Sequence, residues 1–292
     1  MPQVTANGIK IEYETHGDPA HQPMLLIMGL GMQLTRWPIE LVDALVARGY
    51  YVIRHDNRDI GLSTHFDQAG KPSLPRVVLT RLFGMRPQLA YYLSDMADDA
   101  VGLLDALKIE RAHIVGASMG GMIAQHVAAR YPERTRSLTS VMSTTGRRGL
   151  PRATPEAMAV LTDRPLKADL ANIVEFGVKA ARAVGCPSFP APEARLREKT
   201  ELDFHRSFHP IGALRQMAAI VADGDRRELL RKITAPTLVI HGLADPLVPV
   251  EGGRDTAASI TGAKLHLIPG MGHDLPLELV DEIVGKIAEV AV

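Results

Sequence analysis

Three side chains far apart in the chain have the types and the order that acyl transfer requires: Ser118, Asp245 and His273. Ser118 is the centre of Gly116-Ala117-Ser118-Met119-Gly120, a G-x-S-x-G pentapeptide. A serine hydroxyl is a weak nucleophile until a base takes its proton, and an imidazole serves best as that base when a carboxylate orients it. The apolar run His113 to Val115 leads into the pentapeptide and a helical pattern from Gly121 to Arg130 leaves it. Ser118 is therefore expected on a sharp strand-to-helix turn with its hydroxyl exposed. Residues flanking it must be small because the turn folds neighbouring backbone over the nucleophile. The helix start also aims free N–H groups at a developing oxyanion. A dinucleotide-binding G-x-G-x-x-G would need glycine where Ser118 stands, and no P-loop lysine is present.

The acid and the base come later. The apolar run PTLVIHG (236–242) leads into Leu243-Ala244-Asp245-Pro246, and AKLHLIPG (263–270) leads into Met271-Gly272-His273-Asp274. Both loops leave the C-terminal ends of strands, the edge where open α/β sheets carry their sites. Asp before Pro also starts ordinary turns, but the other place for the acid, after LTSVMST (138–144), offers Ser143, Thr144 and Thr145 and no carboxylate. Asp274 is read as the start of the final helix. Two N–H donors must face the oxyanion, and they are assigned to Met119, after the nucleophile, and Leu30, in the glycine-rich loop Met28-Gly29-Leu30-Gly31-Met32. Of the other histidines, His55, His126 and His241 are read as structural. His205 and His209 have the i, i+4 spacing that chelates zinc on a helix, but no third ligand is near, so no metal and no cofactor are expected.

These loops need a scaffold that brings them to one edge. Val4, Ile9, Ile11 and Tyr13 alternate with polar residues around Asn7-Gly8, which predicts a hairpin. Continuous apolar runs follow: MLLIMG (24–29), YYVIRHD (50–56), AHIVGAS (112–118), LTSVMST, PTLVIHG and AKLHLIPG. Runs of this kind belong to strands buried on both faces. Helical periodicity fills the gaps, as in Leu34 to Arg48, Leu93 to Leu107, Met119 to Arg130 and Leu275 to Val290. Strand-helix alternation requires crossovers, hence an α/β fold with a doubly wound, mostly parallel sheet. Residues 147–233 show only helical patterns punctuated by Pro151, Pro155, Pro165, Pro187, Pro190, Pro192 and Pro210. They are read as a helical cap inserted into a core of residues 1–146 and 234–292.

Composition removes several function classes. Thirty-three basic side chains balance 33 acidic ones, so no broad positive field exists to attract nucleic acid or an anionic membrane. No apolar run approaches a membrane span, and the N-terminus lacks the pattern of a secretory signal. The single cysteine, Cys186, cannot form an intramolecular disulfide, which points to the cytoplasm. An aromatic content of 4% disfavours a stacking platform for polyaromatic or single-stranded ligands. Zero net charge favours self-association near neutral pH, a homodimer included.

Together the motifs resemble the α/β-hydrolase fold family over nearly the whole chain. Besides GASMG, the segment His55-Asp56-Asn57-Arg58-Asp59-Ile60-Gly61-Leu62-Ser63 is similar to the family's D-x-R-G-x-G-x-S loop, with Asp59 in place of the first glycine. That loop is read as scaffold, with Ser63 as a candidate for the site entrance. Met28-Gly29 stands where the family often has His-Gly. These departures are similar to a bacterial subgroup that includes aclacinomycin methylesterase, and this resemblance implies a small-molecule carboxylic ester substrate. Met158, Phe176, Phe189 and Met217 are candidates for the wall of an apolar pocket. Two other readings keep the fold: a cofactor-free perhydrolase (haloperoxidase) or carbon–carbon bond hydrolase on the same triad, and a non-catalytic small-molecule binding module. A serine at position 118 argues against the branch that uses a carboxylate nucleophile.

Overall fold

A computed structural model describes residues 2–163, 167 and 169–291. The chain opens with the hairpin β1 (Gln3–Ala6) and β2 (Ile9–His16), turned by Asn7 and Gly8 at φ 48° and 77°, the positive values that a two-residue hairpin loop needs. There follow β3 (Gln22–Ile27), α1 (Ile39–Ala47), β4 (Tyr50–His55), α2 (Leu74–Leu82), α3 (Leu93–Ala106), β5 (Ala112–Ala117), α4 (Met119–Arg130) and β6 (Thr135–Val141). Next come α5 (Pro155–Thr162), α6 (Leu170–Val184), α7 (Glu193–Arg206), α8 (Pro210–Asp223) and α9 (Arg227–Leu230). The chain closes with β7 (Thr237–Gly242), α10 (Glu251–Ser259), β8 (Lys264–Ile268) and α11 (Val280–Ala288).

The strands form one sheet in the order β1-β2-β4-β3-β5-β6-β7-β8. Only the β1–β2 and β2–β4 pairs are antiparallel. From β3 the chain winds outward to β4, then returns to β5 on the other side of β3 and winds the opposite way. The loops leaving β3 and β5 therefore diverge and open a crevice at the carboxyl edge of the sheet.

Helices cover both faces. Leu25 and Ile27 of β3 and Ile114 of β5 pack with Leu93, Met96 and Leu103 of α3 and Ile123 and Val127 of α4. Their neighbours Met24, Leu26 and Val115 point the other way, into a layer made with Leu41, Val42 and Leu45 of α1 and Ile283, Val284 and Ile287 of α11. This two-sided burial is why the strands read as unbroken apolar runs. Helix α4 is buried from Met119 to Ala129, and its small residues let it lie close over β5 and β6.

Three elements differ from the periodicity. The helix expected from Leu34 is a single 3-10 turn, Leu34–Arg36, before α1; Pro38 lacks an N–H and holds Trp37 extended. Pro276 likewise starts a 3-10 turn, Leu277–Leu279, before α11. Helix α2 is not among the stretches expected from periodicity: it is nine residues long, follows Ser73 with Pro75 in its first turn, and buries only Val77 fully. Between β6 and β7 no strand occurs among the described residues. Pro155 and Pro210 open α5 and α8, where a missing N–H costs nothing, whereas Pro165 lies outside the described residues. Helices α6 and α7 pack on each other through Val174, Val178 and Leu196. No described helix is long and apolar enough to cross a membrane.

Candidate active site

Ser118 occupies the turn between β5 and α4 at φ 55°, ψ −118°, a conformation that a side-chain-bearing residue adopts only under constraint, at a cost of about 1–3 kcal/mol. The constraint comes from both sides. The Ser118 N–H donates to the Val141 carbonyl at 2.9 Å, and its own carbonyl accepts from Gly121 and Met122 N–H and from Ser143 Oγ at 2.8 Å. A Cβ at Gly116 would collide with the Gly120 carbonyl, and one at Gly120 with the Ile27 carbonyl. The glycines of the pentapeptide are thus required by backbone packing.

The loops after β7 and β8 are stitched together, with Leu243 N–H bonded to the Ile268 carbonyl and Ala244 N–H to the Met271 carbonyl, both at 3.0 Å. They bring His273 between the other two residues: Nδ1 is 2.7 Å from Asp245 Oδ2 and Nε2 is 2.9 Å from Ser118 Oγ. Because a carboxylate can only accept, Nδ1 carries the proton and Nε2 is free to accept from the hydroxyl. The backbone of His273 is held by its N–H on the Val184 carbonyl (2.7 Å), and Gly272 N–H points to Cys186 Sγ (3.1 Å), so the end of α6 braces the loop.

Asp245 is buried, which alone would raise its pKa. Hydrogen bonds from His241 and His273, the charge of a protonated His273 and the Val248 N–H outweigh that burial and pull it down to about 2. Its other oxygen accepts from Leu247 and Val248 N–H at 2.9 and 2.8 Å. His241 donates from Nε2 to the Val248 carbonyl (2.7 Å) and stands 3.5 Å from Asp245 Oδ2. This histidine, read from sequence as structural, touches the acid itself.

The loop from Met28 to Met32 lies against Ser118, since a Cβ at Gly29 would come within 3.2 Å of Ser118 Cβ. Asn57 Nδ2 donates to the Met28 carbonyl (2.8 Å), and Gln216 of α8 accepts from Gly31 N–H (2.9 Å) while donating to the Arg58 carbonyl. Among the described residues, the N–H groups of Leu30 and Met119 have no acceptor. Ser143, Asn57 and Gln216 were missed by sequence reasoning. Gln216 is 185 residues from its partner and leaves no local signal.

The loop carrying Asp59 is scaffold with a further role. Asp59 has φ 72°, the region where the matched family loop has glycine. Its carboxylate holds Arg215 of α8 through two bonds of 2.7 Å and accepts from the Tyr91 hydroxyl at 2.7 Å. Burial works to raise this carboxyl, but the hydrogen bonds from Arg215 win and keep it below the usual range. Ser63 does not line an entrance: it is buried, donating to the Asp56 carbonyl and accepting from Glu12 N–H, because the loop folds back under β2.

The remaining candidates are scattered. Met158 is exposed on α5, Phe176 and Met217 are half-buried, and Phe189 packs on the core layer beside Gly270. None of the four lines either of two cavities described, of about 700 and 190 Å3. His205 and His209 do not share a helix, since α7 ends at Arg206 and His209 precedes α8. His209 instead stacks on His65 (3.9 Å), with Asp67 nearby, but Arg215 sits 3.1 Å from His209 Nε2 and its charge opposes a cation there. His126 pairs with Asp223 at 2.9 Å.

Residues 22–180 match the family model described as the alpha/beta hydrolase fold. The chain is 31% identical to rhodomycin D methylesterase of Streptomyces peucetius, over 97% of this chain and 95% of that one. It is 29% identical to 2-hydroxymuconate semialdehyde hydrolase of a Pseudomonas species, over 94% and 88%. The solved meta-cleavage product hydrolase of Pseudomonas fluorescens superposes with a TM-score of 0.73 at 24% identity, over 99% and 97% of the two chains.

Proposed function

The chain belongs to the α/β-hydrolase fold family, and on that premise we propose that it is a serine hydrolase that cleaves carboxylic esters of small molecules through an acyl-enzyme. The observation that carries this reading is His273 bridging Ser118 Oγ and Asp245 Oδ2 at 2.9 and 2.7 Å. As the Ser118 hydroxyl attacks the ester carbonyl, His273 Nε2 takes its proton, and the adjacent Asp245 carboxylate stabilises the resulting imidazolium. Leu30 and Met119 N–H groups hold the tetrahedral oxyanion. His273 then returns the proton to the leaving alcohol, and a water activated by the same imidazole releases the acid. A methyl ester is the favoured substrate class, given the 31% identity to a methylesterase over nearly both full lengths. In this reading residues 147–233 form a cap over the crevice. The lone, buried Cys186 fits a reducing compartment, and we place the enzyme in the cytoplasm.

Hydrolysis of methyl and p-nitrophenyl esters tests the proposal. Wild type turns over, Ser118→Ala and His273→Ala lose about 1,000-fold or more in kcat, and Asp245→Asn falls by a similar order. Full activity in Ser118→Ala sinks the mechanism. Similarity to 2-hydroxymuconate semialdehyde hydrolase favours a second reading, cleavage of an activated carbon–carbon bond on the same triad. Turnover of 2-hydroxymuconate semialdehyde without ester turnover selects it.

A further inference from the structure

The cavity of about 700 Å3 lies between α2, α8 and the chain that leaves β6. Its lining includes Met122, whose N–H bonds the Ser118 carbonyl, and Thr144, which follows Ser143. Met122 lies about one helical turn along α4 from Ser118, so this wall of the cavity belongs to the helix that carries the nucleophile at its start. Val78 and Leu82 of α2 and Ile220 and Val221 of α8 give it apolar walls, and its size falls in the range of ligand pockets.

Five of the lining residues are arginines, against one acidic residue, Asp225. Three are neutralised: Arg226 by Asp223, Arg227 by Asp225 and Arg147 by Asp255. Among the described residues Arg81 and Arg148 face no carboxylate. Arg81 donates to the Ala222 and Asp223 carbonyls at the end of α8, whose helix dipole compensates part of its charge, and has no carboxylate partner among the described residues. Arg148 is exposed at the rim and makes no hydrogen bond or ion pair among the described residues.

An apolar slot edged by the unpaired guanidinium of Arg148 complements a ligand with an apolar body and an anionic end. The body gains by leaving water, and the anion gains a charge-assisted hydrogen bond. We propose that this cavity binds an amphipathic organic acid, its chain between α2 and α8 and its carboxylate at Arg148. Resting on the ester-hydrolase reading, the same proposal extends to the substrate: an ester whose chain reaches from Ser118 past Met122 into this cavity carries a second, free carboxylate at its far end.

Binding is measured calorimetrically on the Ser118→Ala protein with decanoate and, as the neutral probe, decanol. Decanoate binds about tenfold more tightly than decanol, the difference shrinks with added salt, Arg148→Glu abolishes it and Arg148→Lys keeps most of it. Equal affinity for the two probes, or a preference untouched by Arg148→Glu, overturns the proposal. Wild-type turnover is then compared on the monomethyl ester of decanedioic acid and on methyl decanoate. The acid ester is favoured about tenfold in kcat/KM, a ratio that falls to near one in Arg148→Glu. Arg148-dependent decanoate binding without any ester turnover supports the site and overturns the hydrolase reading. Ester turnover with neither acid preference nor decanoate binding overturns the site and leaves that reading intact.

Discussion

Asp245 has to stay ionised while out of water, and its neighbours explain how. With a pKa lowered from 3.8 to about 2, it contributes about 2 kcal/mol of stability, fully present above pH 4 and lost as pH falls towards 2. Its partners act differently on it. In the proposed mechanism His273 uses the charge, whereas Leu247 and Val248 N–H hold the carboxylate in place and His241 fixes the Val248 carbonyl beside it. Replacing His241 by Phe removes the imidazole that stands beside the carboxylate and ties the Val248 carbonyl, while filling the same buried space. The expected outcome is a kcat reduced about tenfold with KM little changed, and an acid limb of the kcat profile shifted. Steady-state kinetics across pH check this; an unchanged profile makes His241 purely a packing residue.

At the scale of elements, the site depends on how closely α4 approaches β3 and β5. Gly120 lies over the Ile27 carbonyl without room for a methyl group, so Gly120→Ala must push α4 off the sheet. A loss of about 3 kcal/mol or more in urea-melt stability is expected, larger than any helix-propensity gain of about 1 kcal/mol. Helix α8 is tied to the loop after β4 differently, through the buried Asp59–Arg215 pair. Breaking it singly with Asp59→Asn or Arg215→Met leaves an unpaired buried group and costs about 3–5 kcal/mol, whereas the double variant loses less than the sum. A double-mutant cycle by chemical denaturation measures the coupling; strict additivity contradicts it.

At the scale of the whole molecule, acid sensitivity should begin well above the carboxylate range. Burial pushes His55 and His113 down to about 4, for His55 with only the nearby Asn57 side chain pulling the other way. Both are neutral when folded and take protons once unfolded, so each penalises the fold as pH falls from 6.5 to 4, by up to about 3 kcal/mol. Thermal melts between pH 8 and pH 4 should show Tm falling across that window, less steeply in His55→Leu. The surface adds a second property: Leu79, Leu82, Phe83 and Met85 on and after α2 are 56, 63, 70 and 57% exposed, on a chain of zero net charge. Light scattering near pH 7 is expected to detect self-association that Phe83→Glu reduces. A monodisperse monomer at all concentrations contradicts it.

Much of this was legible in the chain. Burial on both faces made the parallel strands visible as unbroken apolar runs, and Ser118, Asp245 and His273 stood out because each follows such a run. A strand end is a local pattern, and the parallel sheet carries all these ends to one edge. Local pattern does not encode contacts between distant segments. That Gln216 steadies the loop at Gly31, that Arg215 reaches Asp59, that His241 touches Asp245, and that α2 and α8 enclose a cavity edged by Arg148 were decided only by tertiary packing. The cap candidates Met158, Phe176, Phe189 and Met217 show the same limit, because a lone apolar residue on a helix carries no mark of whether it will face a pocket, a neighbouring helix or water.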